Sequence, residues 1–486
     1  MGKNIKTKRT KIVATLGPAT EEVAVLKKMV ASGMNMARFN FSHGEHSWHK
    51  TVMHRVREVA RETDHSIAIL ADFQGPHIRT DLPAPVTIKK GDIVRVFDGS
   101  ADRKLIAQTA KEVAIIVIDC PCMIENLSVG NDLFIEDGIM RVRVTDIVDT
   151  HVMAEVIAGG IVKNNKGVNI PDADIPLPAL TSKDYDDLAF ALEQNVDYVA
   201  MSFVRTAQEI TDLRTYMQKI LQNGASVPKI IAKIERKEAI ENLNEIIAET
   251  DVVMVARGDL GIETSPTGVT LLQKRIVAES LCKVKPVIVA TQMLASMEHN
   301  PRPTRAEVSD VTNAVIDHTD AVMLSGETTV GSFAVTAVET MSAIAMQTET
   351  SPYDDVDDVN EDLPVDFDSP EVHVARSAYV FMKEVNAQAI VMFSESGYTA
   401  RMLSHFRPER LVLVATTSQK TYNELALVWG IIPFLFDGTE GRDECIHELI
   451  QKAQEKYLLH KGDLVITILG STKAGKKLEL MGSRIV

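Results

Sequence analysis

The segment KIIAKIER, from Lys229 to Arg236, sets a lysine and a glutamate into an otherwise apolar run. Period-two alternation puts Ile231, Lys233 and Glu235 on one face and Ile230, Ala232 and Ile234 on the other. A lysine between isoleucines in a buried strand needs an anionic partner. The next apolar run, DVVMVARGDLGIE from Asp251, ends on a second carboxylate, Asp259. Two hard oxygen ligands, completed by substrate and water, suit Mg2+ or Mn2+. A strand-end Lys–Glu salt bridge would account for the first segment equally well, and Arg257-Gly258-Asp259 in the second also spells a cell-adhesion signal.

Further groups of compatible chemistry stand at similar positions. Arg38 precedes FNFSHG, Arg79 lies in QGPHIRT and Lys166 in NNKGVN, while Thr291, Ser325 and Glu327 follow two more apolar runs. Singly, the cations read as solvated charges and the hydroxyls as helix caps. Together, cations, a carboxylate pair and hydroxyls describe phosphoryl transfer, which rests on positioning and charge neutralisation more than on covalent catalysis. No GxxxxGK[ST] loop is present, so a nucleotide would be held by other means.

Such residues need a scaffold that delivers them to one place. Eight Val- and Ile-rich runs, beginning at Lys11, Met34, Ser66, Asp197, Lys229, Asp251, Pro286 and Asp320, alternate with stretches of helical periodicity. The polar residues fall at the C-terminal ends of the runs. This pattern predicts an α/β fold, a (β/α)8 TIM barrel with its active site on the C-terminal rim. About 120 residues separate Gly75 from Asp197, and their alternation (VTIKKGDIVRVF, DLFIEDGIMRVRV, HVMAEVIAGG) predicts an inserted small all-β lid domain. Eight acidic residues crowd around Pro364 between Ser351 and Ser369, as in a solvated linker. Beyond it AIVMFS, RLVLVAT, IIPFLF and DLVITIL alternate with helices, as in a C-terminal α/β domain. The expected boundaries are residues 1–75 and 176–350 for the barrel, 76–175 for a β-barrel lid and 351–486 for the regulatory α/β unit.

Composition restricts the functional class. The chain has 486 residues, 45% hydrophobic and 24% charged, with a net charge of −15. That charge argues against a nucleic-acid-binding surface and leaves room for local anion sites. The basic N-terminus lacks a signal-peptide core, Lys6 stands where a myristoylation signal needs Ser or Thr, and no apolar run approaches about 18 residues. No membrane association is expected. The four cysteines, Cys120, Cys122, Cys282 and Cys445, read as free thiols in a reducing cytoplasm.

ARFNFSHG, QGPHIRT, NNKGVN, AKIER, MVARGDLGIE, ATQMLASM, NPRPTRAE and MLSGET, in this order and at these intervals, closely resemble the pyruvate kinase family. The resemblance covers essentially the whole chain and is strongest from Lys229 to Gly331. It implies transfer of the phosphoryl group of phosphoenolpyruvate to ADP, giving pyruvate and ATP in the last step of glycolysis. By resemblance, Glu235 and Asp259 hold Mg2+ or Mn2+, Lys233 stabilises the phosphoryl group in flight and Arg38 binds phosphate. Backbone amides near Gly258 and Asp259, with Thr291, receive the substrate carboxylate. Asn40, His43, Arg79 and Lys166 match nucleotide-contacting positions, and Thr291, Ser325 and Glu327 sit where the enolate gains its proton. Arg257-Gly258-Asp259 then reads as a strand end rather than an adhesion loop.

The same resemblance places a K+ site at Asn40, Ser42, Asp72 and the Phe73 carbonyl. The stretch from Asp72 to Thr80, DFQGPHIRT, departs from the family's DTKGPEIRT and lies nearer the DLQGPKIR branch that does without a monovalent cation. Weak K+ dependence is expected, varying with pH through His77, whose ordinary pKa of about 6.5 would switch its charge. In FSESGYTARMLSHFRP the positions Ser394, Ser396, Gly397 and Thr399 resemble the family's effector loop. Glu395 there would repel a second phosphate, so a sugar-monophosphate or nucleotide effector is expected, in a homotetramer. Two rivals are a non-catalytic metabolite sensor and a Mg2+-dependent lyase or aldolase, the latter needing no ADP.

Overall fold

A computed structural model describes residues 7–101, 106, 113–221, 226–354, 370–437, 441–473 and 476–486. The chain opens with β1 (Lys11–Thr15), β2 (Met36–Asn40) and β3 (Ala68–Asp72), separated by helices Val23–Ala31 and His46–Thr63. After an insertion it continues with β12 (Tyr198–Met201), β13 (Lys229–Ile234), β14 (Val252–Ala256), β15 (Val287–Ala290) and β16 (Ala321–Leu324). These eight parallel strands close into a barrel in the order β1-β16-β15-β14-β13-β12-β3-β2.

Alternation along the strands sorts the side chains into two layers. Val13, Met36, Leu70, Ile231, Met254, Ile288 and Met323 fill the interior, while Ile12, Ile230, Ala232 and Ile234 pack outward against the helices. Strands covered on both faces need apolar residues at nearly every position, which is why the runs read as continuous. Ile231 therefore marks the face that carries Lys233 and Glu235, and that face points inward.

The insertion holds β4 (Val86–Ile88), β5 (Ile93–Asp98), β6 (Ile115–Ile118), β7 (Asp132–Ile135), β8 (Met140–Val148), β9 (His151–Ala158), β10 (Gly160–Val162) and β11 (Val168–Asn169). Six of them form a sheet ordered β11-β7-β8-β9-β5-β6, and β10 pairs with β4. Residues 78–81 join the sheet's two edges. The Val168 amide donates to the Ile78 carbonyl and the Thr80 amide to Lys166, while the Asp81 amide donates to Val117 and the Asp119 amide to Arg79. The lid encloses its own core, including Val94, Val96, Ile116, Leu133, Val142 and Val152.

The return to the barrel is clamped by one acid. The Asp184 carboxylate accepts the Gly75 amide at 3.1 Å on the outgoing chain and the Thr181 amide at 2.8 Å on the incoming one. Thr181 closes a capping box by accepting the Asp184 amide. Thr181→Ala should cost about 1 kcal/mol of stability, read as a lower urea midpoint at unchanged slope; an unaltered midpoint would remove Thr181 from the clamp.

The C-terminal unit is an α/β sheet of β17 (Ala389–Phe393), β18 (Leu411–Thr416), β19 (Ile431–Leu435), β20 (Leu464–Lys473) and β21 (Lys476–Ile485), ordered β19-β18-β17-β20-β21 with only β21 antiparallel. It seats on the N-terminal end of the barrel. Arg407 pairs with Asp320 at 3.0 Å, Lys11 donates to the Ile431 carbonyl at 2.7 Å, and Ala426 and Leu427 join the barrel's interior cluster. Of the expected acidic linker, residues 355–369 lie outside the described residues. Among the described residues no helix is long and apolar enough to cross a membrane.

Candidate active site

At the C-terminal end of the barrel, register and alternation bring charged side chains from non-adjacent sequence together. Arg38 on β2 and Asp72 at the end of β3 meet at 2.6 Å, and a second Arg38 nitrogen donates to Thr15 Oγ1 of β1 at 2.8 Å. Lys233 Nζ lies 3.0 Å from Glu235 Oε1, 3.4 Å from Asp72 Oδ1 and 2.7 Å from Ser202 Oγ. The Ser202 hydroxyl in turn donates to the Phe73 carbonyl at 2.7 Å. The side chains of Asp72 and Glu235 are each 1% exposed, so neither charge has water to stabilise it.

The cluster's electrostatics are mutual. Burial alone would raise the Asp72 pKa, yet Lys233 and Arg38 hold it below the ordinary carboxylate range. Burial alone would lower Lys233, and Asp72 and Glu235 more than reverse that, fixing the ammonium as a permanent cation. Asp259, just beyond β14, shows the opposite imbalance. Burial and then the neighbouring Glu235 charge push its pKa up to about 7. A carboxylate pair in this state is short of positive charge, which the donor chemistry of Mg2+ or Mn2+ fits. Among the described residues no group of three or more His, Cys, Asp or Glu side chains could hold a metal; Glu235 and Asp259 together leave most of a shell to substrate and water.

Strained backbone frames the site. Phe203 has φ 56° and Thr291 φ 67°, a left-handed conformation that costs a bulky or β-branched residue about 1–3 kcal/mol. The Phe203 amide is held by Glu235 Oε2 at 2.7 Å, and Thr291 Oγ1 accepts the Gly258 amide at 2.9 Å. Arg257 braces the same turn by donating to the carbonyls of Ala290 and Thr291 and pairing with Asp310 at 2.7 Å. Glu327, 2% exposed, accepts the Leu294 amide at 3.0 Å and the Ser325 amide at 2.7 Å, tying together the loops after β15 and β16. Burial raises its pKa against these hydrogen bonds.

The expected nucleotide positions fall in two places. Asn40 and His43 follow β2, where the Asn40 side chain accepts the Ser42 amide at 3.1 Å. Arg79 and Lys166 are brought side by side at the lid hinge, where Arg79 donates to the Asn165 carbonyl at 3.2 Å and Lys166 pairs with Glu136. The oxygens expected at a K+ site have protein partners: Asp72 has Arg38 and Lys233, the Phe73 carbonyl has Ser202, and Asn40 has Ser42.

His77 bears on the expected pH dependence. Its ring stands edge-on to Phe203, centroids 4.8 Å apart. Although part of the ring meets solvent, crowding in the cleft, then the positive charges of Arg79 and Lys233, push its pKa down to about 4. This shift favours the neutral ring and works against the expected change of charge at His77.

Sequence reasoning missed three supports: Thr15, Ser202 and the Phe203 amide. Ser202 carried a signal in DYVAMSFVR, where it directly follows the β12 run as Glu235 follows β13. In the C-terminal unit, the loop after β17 turns at Gly397, φ 68°, into the helix Tyr398–His405; Ser394 is buried and Glu395 is held by Thr417 at 2.8 and 2.9 Å.

Comparison with known proteins agrees with this architecture. Residues 7–338 match the family model for the pyruvate kinase barrel domain, and residues 373–480 match that for the pyruvate kinase alpha/beta domain. The pyruvate kinase of Sporosarcina psychrophila is 37% identical over 471 residues, covering 95% of this chain and 78% of the relative. That of Geobacillus stearothermophilus is 38% identical over 471 residues with the same coverage, and that of Bacillus licheniformis 36% over 490 residues, covering 99% and 80%. Two family models accounting for both the barrel and the unit beneath it, and relatives aligned along nearly the entire length, lead to one conclusion: this chain belongs to the pyruvate kinase family.

Proposed function

We propose that the chain transfers the phosphoryl group of phosphoenolpyruvate to ADP, forming ATP and pyruvate. The observation that carries this reading is the Lys233 cation, buried on Asp72, Glu235 and Ser202 at the barrel rim beside the Glu235–Asp259 pair. Glu235 and Asp259 would hold Mg2+ or Mn2+, which supplies charge neutralisation to the phosphoryl oxygens. Lys233 and Arg38 supply fixed positive charge where negative charge spreads in the transition state. The bond between phosphorus and the enol oxygen breaks as one between phosphorus and a terminal ADP oxygen forms, and the enolate left behind takes a proton at carbon. Thr291, Ser325 and Glu327 border that position. With both oxygens engaged by amides, Glu327 acts as a positioning residue that holds the two loops. The amides of Gly258 and Asp259 lie beside the expected place of the substrate carboxylate. Asn40, His43, Arg79 and Lys166 would hold the nucleotide, with Arg79 and Lys166 moving as the lid closes and excludes water.

A coupled assay of pyruvate formation, with and without ADP and Mg2+, tests this. Pyruvate formed only with both is expected. Pyruvate released without ADP would favour a lyase, and none under any condition would favour a sensor.

Weak K+ dependence fits the partnered oxygens of Asp72, Phe73 and Asn40. With the charges of Arg79 and Lys233 favouring a neutral His77, activation by KCl should be small and equal at about pH 6 and about pH 8. Initial rates with ionic strength held by a tetraalkylammonium salt measure it; activation that differs severalfold between the two and disappears in His77→Gln would overturn the assignment.

A sugar-monophosphate or nucleotide effector at Ser394, Ser396, Gly397 and Thr399 is supported by the left-handed turn at Gly397 and by the acid Glu395 within the loop. Assembly as a homotetramer rests on the family resemblance, and a cytoplasmic location on four cysteines that form no disulfide among the described residues.

A further inference from the structure

The C-terminal unit does not sit flush on the barrel. A cavity of about 150 Å³ remains between the strand bases of β13 to β15 and the helix Tyr398–His405. Lys229, Lys283, Lys285 and Arg401 line it, with only Asp251 and Glu424 in opposition. Both carboxylates have a cation of their own, although Glu424 Oε1 takes part in no hydrogen bond among the described residues. Asp251 is shared by Lys229 at 3.3 Å and Arg214 at 3.0 Å, and Glu424 pairs with Lys420 at 3.5 Å. Among the described residues, therefore, Lys283, Lys285 and Arg401 have no carboxylate within ion-pair distance. Three unmatched cations in one cleft stand out in a chain of net charge −15.

Their hydrogen bonds are incomplete as well. An ammonium has three donors and a guanidinium five. Lys285 donates to the carbonyls of Ala248 at 3.1 Å and Thr250 at 2.7 Å, and among the described residues the Arg401 side chain donates only to the Ser396 carbonyl at 3.3 Å. A narrower recess shares Lys285 and Arg401 and is also lined by His405. His405 Nε2 is buried there without a hydrogen-bond partner among the described residues.

We propose that this cleft is a binding site for a dianionic phosphate group, separate from the active site and bordering the loop at Ser394–Thr399 through Tyr398. Three convergent cations with free donors match a phosphoryl group better than a carboxylate, and Arg401 can engage it through two nitrogens. At about 30 Å³ per water, the cavity admits such a group and little more, so any attached sugar would extend outward. The bound anion would bridge the segment leading into β15, which Thr291 directly follows, and the helix that opens at Gly397. Occupancy at the barrel's base would thereby be linked to both the active-site rim and the effector loop.

The test is calorimetric titration of the full chain with inorganic phosphate and, separately, with a hexose 6-phosphate, at fixed ionic strength. At least one should bind. Lys283→Glu, Lys285→Met and Arg401→Met should each weaken it about 10- to 100-fold with turnover in the absence of the probe unchanged in these three, while Thr399→Ala leaves binding of the probe intact. The probe should also raise the urea midpoint of the wild type and not of Lys283→Glu. Equal affinity for both probes assigns the site to the phosphate group alone; preference for the ester assigns it to a sugar phosphate. The Lys283 side chain makes no bond among the described residues, so Lys283→Glu carries the test if Lys285→Met fails to fold. No binding of either probe up to about 10 mM overturns the proposal. Binding lost in Thr399→Ala but kept in Lys283→Glu and Arg401→Met also overturns it, because the anion then sits at the loop.

Discussion

An enzyme carrying Lys233→Met should turn over about 10²- to 10³-fold more slowly, a loss of about 3 to 4 kcal/mol in transition-state stabilisation. Methionine keeps the apolar stem of the side chain and removes the ammonium that lies 3.0 Å from Glu235 and 3.4 Å from Asp72. Charge that neutralises a phosphoryl group in flight acts mainly on kcat, so KM for phosphoenolpyruvate should change little. Asp72 keeps Arg38 and Glu235 keeps the Phe203 amide in the variant, so the fold has remaining partners for both acids. Rates are compared per folded molecule, with circular dichroism as the check and Lys233→Arg as a second, charge-retaining variant. Near-native kcat in folded Lys233→Met would remove the residue from the chemistry.

The second large effect is expected at Asp259. Asp259→Asn should raise the Mg2+ concentration for half-maximal activity at least about 10-fold, since an amide brings an oxygen but no charge to a hard cation. Without metal, burial and the Glu235 charge already push the Asp259 pKa up to about 7. The neutral amide should therefore be tolerated structurally, and the unfolding midpoint of the metal-free variant should match or exceed that of the wild type. Titration of activity with Mg2+, together with direct binding of Mn2+ followed by electron paramagnetic resonance, measures the shift. An unchanged titration by both methods would mean that Asp259 is not a ligand.

Much of this was legible in the chain itself, for a local reason. Alternation along a strand is set by the backbone, so KIIAKIER alone committed Ile231, Lys233 and Glu235 to one face, and eight runs of similar length with polar ends implied a closed parallel barrel with chemistry at one rim. The partners of those residues were decided only by the tertiary structure. Asp72, expected at most to face a monovalent cation, is a shared counter-ion of Arg38 and Lys233, because barrel closure brings the ends of β2, β3 and β13 to one level. Ser202 joins them from β12. His77 read as a titrating group because its unperturbed pKa is all a sequence contains. The charges of Arg79 and Lys233, the latter from a distant chain segment, favour its neutral form. Local periodicity fixes direction along a strand, whereas desolvation and the identity of a neighbouring charge depend on which distant segments pack together.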